Sequence, residues 1–204
     1  MRLEIAAAAT AFAILSAPAA VAASLDVPAG TYAVDNTHLS VLWRVKHMGL
    51  SNYTGQFDPA EIDAVITLDP ENVANSSVSV TIPAAAVLTN FPGETDFDAE
   101  VASPMFLDAA NHPAITFTSS EIEVTGENTA AITGDVTIRG VTLPLTLDVT
   151  LNGAITHPMA GVPALGISAV GRLNRSDFGV NTLVGPIVSD AVDIVIEAEF
   201  LKAE

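Results

Sequence analysis

From Leu39 to His47 the chain alternates: Leu39, Val41, Trp43, Val45 and His47 fall on one face of an extended segment, and Ser40, Leu42, Arg44 and Lys46 on the other. A period of two predicts a half-buried strand, here with one oily face that ends in an imidazole. The same pattern predicts further strands over Thr31 to Asp35, Thr54 to Leu68, Ser76 to Ile82, Ala114 to Val124, Thr129 to Arg139, Val141 to Leu151, Leu165 to Leu173 and Val188 to Leu201. Gly140, able to take the positive φ of a tight turn, joins two of them into a hairpin. In the second of these, Leu143, Leu145, Leu147, Val149 and Leu151 share a face, and Pro144, which has no N–H, marks an edge or a bulge.

Many alternating strands with short connections, and no interleaved helical pattern, predict an all-β fold, an antiparallel barrel in preference to a sandwich. The exception runs from Pro83 to Pro113, where Ala84 to Leu88 and Asp96 to Val101 are expected as short helices, the second capped by Asp96 or Asp98. With Phe91, Phe97, Met105 and Phe106 set among turn residues, this insertion is a candidate lid.

The first 23 residues read as a cleaved secretion leader, with Arg2, an apolar run from Ile5 to Leu15 too short to cross a bilayer, and small residues up to Ala23. The expected product is one exported domain, residues 24–204, periplasmic or secreted. It has no cysteine, hence no disulfide and no thiolate ligand. A net charge of −17 argues against nucleic acid and against attraction to anionic headgroups. Only 15% of residues are charged while 50% are hydrophobic, so much apolar surface has to go inside. Whether the interior is packed solid or left hollow then decides the function.

Nucleotide and hydrolase signatures are missing: the chain has neither a Gly-rich phosphate loop followed by Lys and Ser or Thr nor a G-x-S-x-G elbow. Of the four histidines, His38 and His47 point to opposite faces if their strand is continuous, while His112 and His157 precede prolines in turn-like settings, so no metal site is expected. Asp35, His38 and Ser40 hold the ingredients of nucleophilic catalysis, but three neighbours more readily satisfy one another's hydrogen bonds. His47, at the end of the oily face, is placed either to meet a ligand headgroup or to bond a carbonyl in the core. Arg175, in the polar stretch Arg172 to Gly179, either locks its loop by pairing with Asp177 or another buried carboxylate, or faces an anionic or carbonyl headgroup.

Several segments together carry a resemblance. They are Tyr32-Ala-Val-Asp35-Asn-Thr-His38-Leu-Ser40, His47-Met-Gly49, Gly55-Gln-Phe57, Pro104-Met-Phe-Leu-Asp108 leading to Pro113-Ala-Ile-Thr-Phe117, Gly134-Asp-Val-Thr-Ile-Arg-Gly140-Val-Thr, and Leu173-Asn-Arg-Ser-Asp-Phe-Gly179. In this order the chain resembles the YceI-like, polyisoprenoid-binding family of exported bacterial proteins, over nearly all of the expected mature chain. It departs from the usual pattern at Asp98-Ala-Glu100-Val101. The resemblance implies a lipocalin-like barrel of about eight strands, a long apolar cavity for an isoprenoid chain, quinone tail or other lipid, and no catalytic residues.

The expected function is a carrier that keeps a long apolar molecule in solution, with no cofactor beyond that lipid and no stable membrane insertion; a homodimer is admitted but not required. Val41, Trp43, Val45, Phe57 and Phe117 are the expected wall by alternation, and His47 and Arg175 the polar contacts by resemblance. Two other readings stand beside it: an enzyme with His38 or His47 as general base, and a solid-core β-domain for protein contact.

Overall fold

The structure, a computed structural model, describes residues 25–203; the expected leader lies outside them. Ten strands form one antiparallel sheet: β1 (Gly30–His47), β2 (Ser51–Phe57), β3 (Asp63–Leu68), β4 (Ser77–Pro83), β5 (Val87–Leu88), β6 (Ala114–Val124), β7 (Thr129–Ile138), β8 (Val141–Thr156), β9 (Pro163–Asn174) and β10 (Val188–Lys202). Eight of them close a barrel in the order β10, β9, β8, β7, β6, β4, β3, β1, with β1 pairing back onto β10. The one α-helix among the described residues, α1 (Phe97–Ala102), lies in the insertion, with Asp96 as its N-cap accepting from the Ala99 N–H at 3.0 Å.

Where the strands differ from the sequence pattern, identifiable residues are responsible. The two segments expected around Asp35 and Leu39 are one strand, β1, because residues 35–38 bulge out without breaking it: Val34 pairs with Phe200 and Leu39 already with Ala198. The run expected from Thr54 to Leu68 is two strands. Asp58 accepts from the Ala60 N–H at 3.0 Å and starts a 3-10 turn at Pro59, which has no N–H to give a ladder. Asn36, at the bulge, closes the resulting gap by donating to the carbonyls of Pro59 and Ile62 at 2.5 and 2.7 Å. Thus β2 and β3 occupy the same edge of β1, one beside each half of it.

Ala84 to Leu88 is not helical. Val87 and Leu88 pair with Phe57 and Gln56 as β5, since the edge of β2 offers ladder partners that a lone helical turn would lack. At Arg139-Gly140 both residues have positive φ, 50° and 74°, the requirement of a two-residue type I′ hairpin. Pro144 sits where β8 has a neighbour on one side only, because pairing with β9 begins at Leu147.

The two ends of the barrel differ. At one, Tyr32, Leu68, Leu165, Phe200 and Val27 pack into a buried plug, and the Tyr32 hydroxyl donates to the Pro28 carbonyl at 2.7 Å. The other is framed by the β1–β2 hairpin, the insertion, the β7–β8 turn and the β9–β10 loop. Arg139 donates to the carbonyls of Pro104 and Phe106, and Thr182 to that of Met105 at 2.5 Å, fastening the insertion to both neighbours.

Candidate functional site: an apolar cavity with one buried cation

Inside the framed end the inward side chains do not meet. They surround a cavity of about 570 Å³, within the range of about 300–1,000 Å³ usual for small-molecule sites. Its wall comes from every barrel strand and is almost entirely hydrocarbon. All seven residues singled out from the sequence, Val41, Trp43, Val45, His47, Phe57, Phe117 and Arg175, line this one space.

Trp43 and Phe117 reach their positions because the residues beneath them are glycines. A Cβ on Gly55, the cross-strand partner of Trp43, would stand 2.1 Å from the indole; one on Gly134 would stand 2.6 Å from the Phe117 ring. From Trp43 a chain of rings runs outward: Tyr53 at 6.1 Å, then Phe97 in an edge-to-face contact at 5.9 Å, then Phe91 at 5.4 Å. This ties the insertion to the wall and makes it one side of the opening. Asp98 and Glu100, where the chain leaves the usual pattern, both have places here: Asp98 accepts from the Thr89 N–H and hydroxyl at 2.6 and 2.5 Å, and Glu100 lines the cavity.

His47, at the end of β1, is exposed at the opening. Arg175 is buried, but it pairs with no carboxylate, contrary to the pairing with Asp177 or another acid read from the sequence. Its Nε donates to the Ser189 carbonyl at 2.9 Å and its Nη1 to those of Val180 and Thr182 at 3.3 and 2.7 Å, so backbone oxygens hold the loop on the guanidinium. The nearby Asp190 is engaged by Ser176, which donates its N–H and hydroxyl at 2.9 and 2.7 Å and holds the carboxyl below its ordinary range. Burial pulls the Arg175 pKa below its ordinary value, with the Asp190 charge opposing. Its Nη2 has no hydrogen-bond partner. A desolvated cationic donor with one unpartnered NH2 group is costly alone and well suited to an acceptor oxygen.

Asp35 and His38 lie outside this space. The Asp35 carboxylate takes the Thr37 hydroxyl at 2.6 Å and stands 2.9 Å from His38 Nδ1. Those two bonds bring its pKa down to about 2, while Asp35 and then Glu199 raise that of exposed His38. Ser40 has no part in these bonds; Thr37 takes the hydroxyl role, within the bulge itself. Glu199 comes from β10, and its carboxylate lies 4.0 Å from both His38 and His157, so Asp35, His38 and Glu199 form a group of potential ligand atoms that sequence spacing missed. Only the β1–β10 pairing reveals it.

A closed eight-stranded antiparallel barrel, plugged at one end and hollow at the other, defines the class of protein. The YceI-like domain model matches residues 32–200, and the chain belongs to that family. Protein YceI of Escherichia coli O6:H1 is 37% identical over 173 residues, 84% of this chain and 86% of that one. Among solved structures, Burkholderia cenocepacia BcnA superposes with a TM-score of 0.69 at 27% identity, over 81% of this chain and 98% of that one. A polyisoprenoid binding domain from Saccharophagus degradans, implicated in plant cell wall breakdown, shares the fold with a TM-score of 0.55 at 13% identity, over 84% of this chain and 98% of that domain.

Proposed function

We propose that this protein is an exported carrier that encloses the tail of a long apolar molecule, a polyisoprenoid, quinone tail or fatty-acid-like lipid, inside the barrel. The observation that carries the reading is the cavity of about 570 Å³ with a hydrocarbon wall. At about 0.8 kcal/mol per buried methylene, three or four isoprene units contribute on the order of 10 kcal/mol before ordering costs. Tail length therefore governs affinity more than headgroup does. The S. degradans domain, with the same fold, is named for binding polyisoprenoid, which supports this choice of ligand class. The polar end of the ligand sits at the opening, where the unpartnered Nη2 of Arg175 donates to a carbonyl, hydroxyl or phosphoryl oxygen and exposed His47 flanks it. The leader-like first 23 residues support action in the periplasm or outside the cell.

Organic extraction of the purified protein followed by mass spectrometry should yield about one lipid per chain. Adding a long-tailed quinone to stripped protein should change the fluorescence of Trp43, and a short-tailed quinone should not. Equal responses to both would defeat the carrier reading.

A further inference from the structure

We propose that the open end of the barrel is a membrane-docking surface: the protein seats its rim in the headgroup region of a lipid bilayer so that cargo passes between bilayer and cavity without crossing water. This rests on the carrier reading. The rim carries seven exposed large apolar side chains, Met48, Leu50, Phe91, Met105, Val141, Leu183 and Ile187, among which Leu50 is 85% exposed. They are parts of one edge. Met48 donates its N–H to the Ile187 carbonyl at 2.8 Å, Thr182 reaches Met105, and Phe91 and Leu183 also line the cavity. At the plugged end the exposed large apolar residues among the described residues are Ile155 and Met159, both at one hairpin.

Backbone conformation singles out the same places. Met48 and Leu183 have φ of 50° and 57°, a left-handed conformation unfavourable for any residue with a Cβ and especially uncommon for bulky side chains. At Met48 the conformation belongs to a type I′ turn with Gly49, closed by the Leu50 N–H donating to the His47 carbonyl at 2.9 Å, so the turn points Met48 and Leu50 outward; at Leu183 a disfavoured backbone and exposed hydrocarbon coincide.

Charge is distributed to match. Arg44, Lys46, Arg139, Arg172 and Arg175 all lie toward the open end, while Lys202 is the one Lys or Arg among the described residues at the plugged end. Arg172 is paired with Asp193 at 2.6 Å, whereas Arg139 is bound to the carbonyls of Pro104 and Phe106. Asp69, Glu71, Glu121, Glu123 and Glu127, in β6 and the turns, load the opposite end; the open end carries Glu94, Asp96, Asp98, Glu100, Asp108, Asp177 and Asp190 as well, and its cations offset most of that charge. The net charge of −17 is therefore spread unevenly: the open end is the less acidic of the two, so beside an anionic surface the molecule is turned rim first, and apolar contact supplies the attraction.

The test is co-sedimentation of the purified protein with phosphatidylethanolamine–phosphatidylglycerol vesicles, beside Trp43 titration with a long-tailed quinone delivered in detergent. The double variant Met48→Asn, Leu50→Asp removes apolar surface where neither side chain lines the cavity, and asparagine tolerates positive φ. Its vesicle partitioning should fall at least tenfold while quinone titration and thermal stability hold; Met159→Asp, at the plugged end, should leave partitioning unchanged. Equal losses in both variants, or wild-type protein that binds quinone but no vesicles, would overturn docking and leave the carrier reading standing. Vesicle binding without any quinone response would sink the carrier reading instead. A rim variant that dissociates a dimer without changing vesicle partitioning would assign the rim to a second copy, against the proposal.

Discussion

The two ends of this barrel are built from the same strands, yet one is solid and the other hollow. At the plugged end Tyr32, Leu68, Leu165 and Phe200, from four neighbouring strands, are buried in one cluster, and the Tyr32 hydroxyl is satisfied by the Pro28 carbonyl. At the open end aromatic rings lie flat over glycines against the wall, the centre stays vacant, and the buried Arg175 has one nitrogen without a partner. Stability and binding are thus placed in different halves of one sheet. The plug supplies the close packing that a marginally stable domain needs, which frees the other half to leave apolar surface uncovered for a guest.

The sharpest way to break this division is to truncate the plug. Tyr32→Ala should lower unfolding free energy by about 3–5 kcal/mol in urea titration, because Tyr32 is fully buried and close-packed. Phe117→Ala, on the cavity wall, should cost clearly less, since one side of that ring already faces empty space; equal costs would mean that the two ends do not differ. Filling the hollow end is the converse. Ala169→Phe adds a ring to a buried wall position, and binding of a long-tailed quinone should weaken by about 100-fold, close to 3 kcal/mol, with no comparable loss of stability.

Arg175 holds its loop in place and is the proposed headgroup contact, and replacing it should separate the two. Arg175→Met leaves the Ser189, Val180 and Thr182 carbonyls without their donor, a cost of about 2 kcal/mol. It should also narrow the difference in affinity between a long-tailed quinone and a hydrocarbon of the same length. Unchanged discrimination would remove Arg175 from the headgroup site.

The smallest expected effect lies on the outer wall. Asp35, with its pKa at about 2, stabilises the fold above its unfolded value and loses that contribution as pH falls through about 2. His38, whose pKa is raised, contributes below its unfolded value and loses the contribution as pH rises through the folded one. The bulge is therefore tightest in mildly acidic solution, between an unfolded carboxyl pKa of about 4 and an unfolded imidazole pKa of about 6.5. Thermal unfolding between pH 6 and 9 should show a slight fall in wild type that His38→Gln abolishes, and quinone binding should not follow it.

Alternation made the barrel and much of its lining readable before any coordinates, because strand geometry fixes which side chains share a face. Val41, Trp43 and Val45 follow directly from it. What alternation cannot express is a change of count between partners. The bulge at residues 35–38 and the turn at Asp58-Pro59 both depend on Asn36 reaching carbonyls more than twenty residues away. The group formed by His38 and Glu199 exists only once β10 lies beside β1. Nor did Ala84 to Leu88 announce a strand: alanine suits a helix, and the vacant edge of β2 is a property of the assembled sheet.

The fastenings around the opening have a consequence for what can enter. Met48 is tied to Ile187, Thr182 to Met105, and Arg139 to the carbonyls of Pro104 and Phe106, so the border is a laced collar more than a hinged flap. Such a collar is threaded, not parted. A slender tail should slip through lengthwise until its head lodges in the mouth, whereas a chain of equal hydrocarbon content bearing a bulky group at each tip should be refused, a contrast that competition against a fluorescent single-tailed probe would measure.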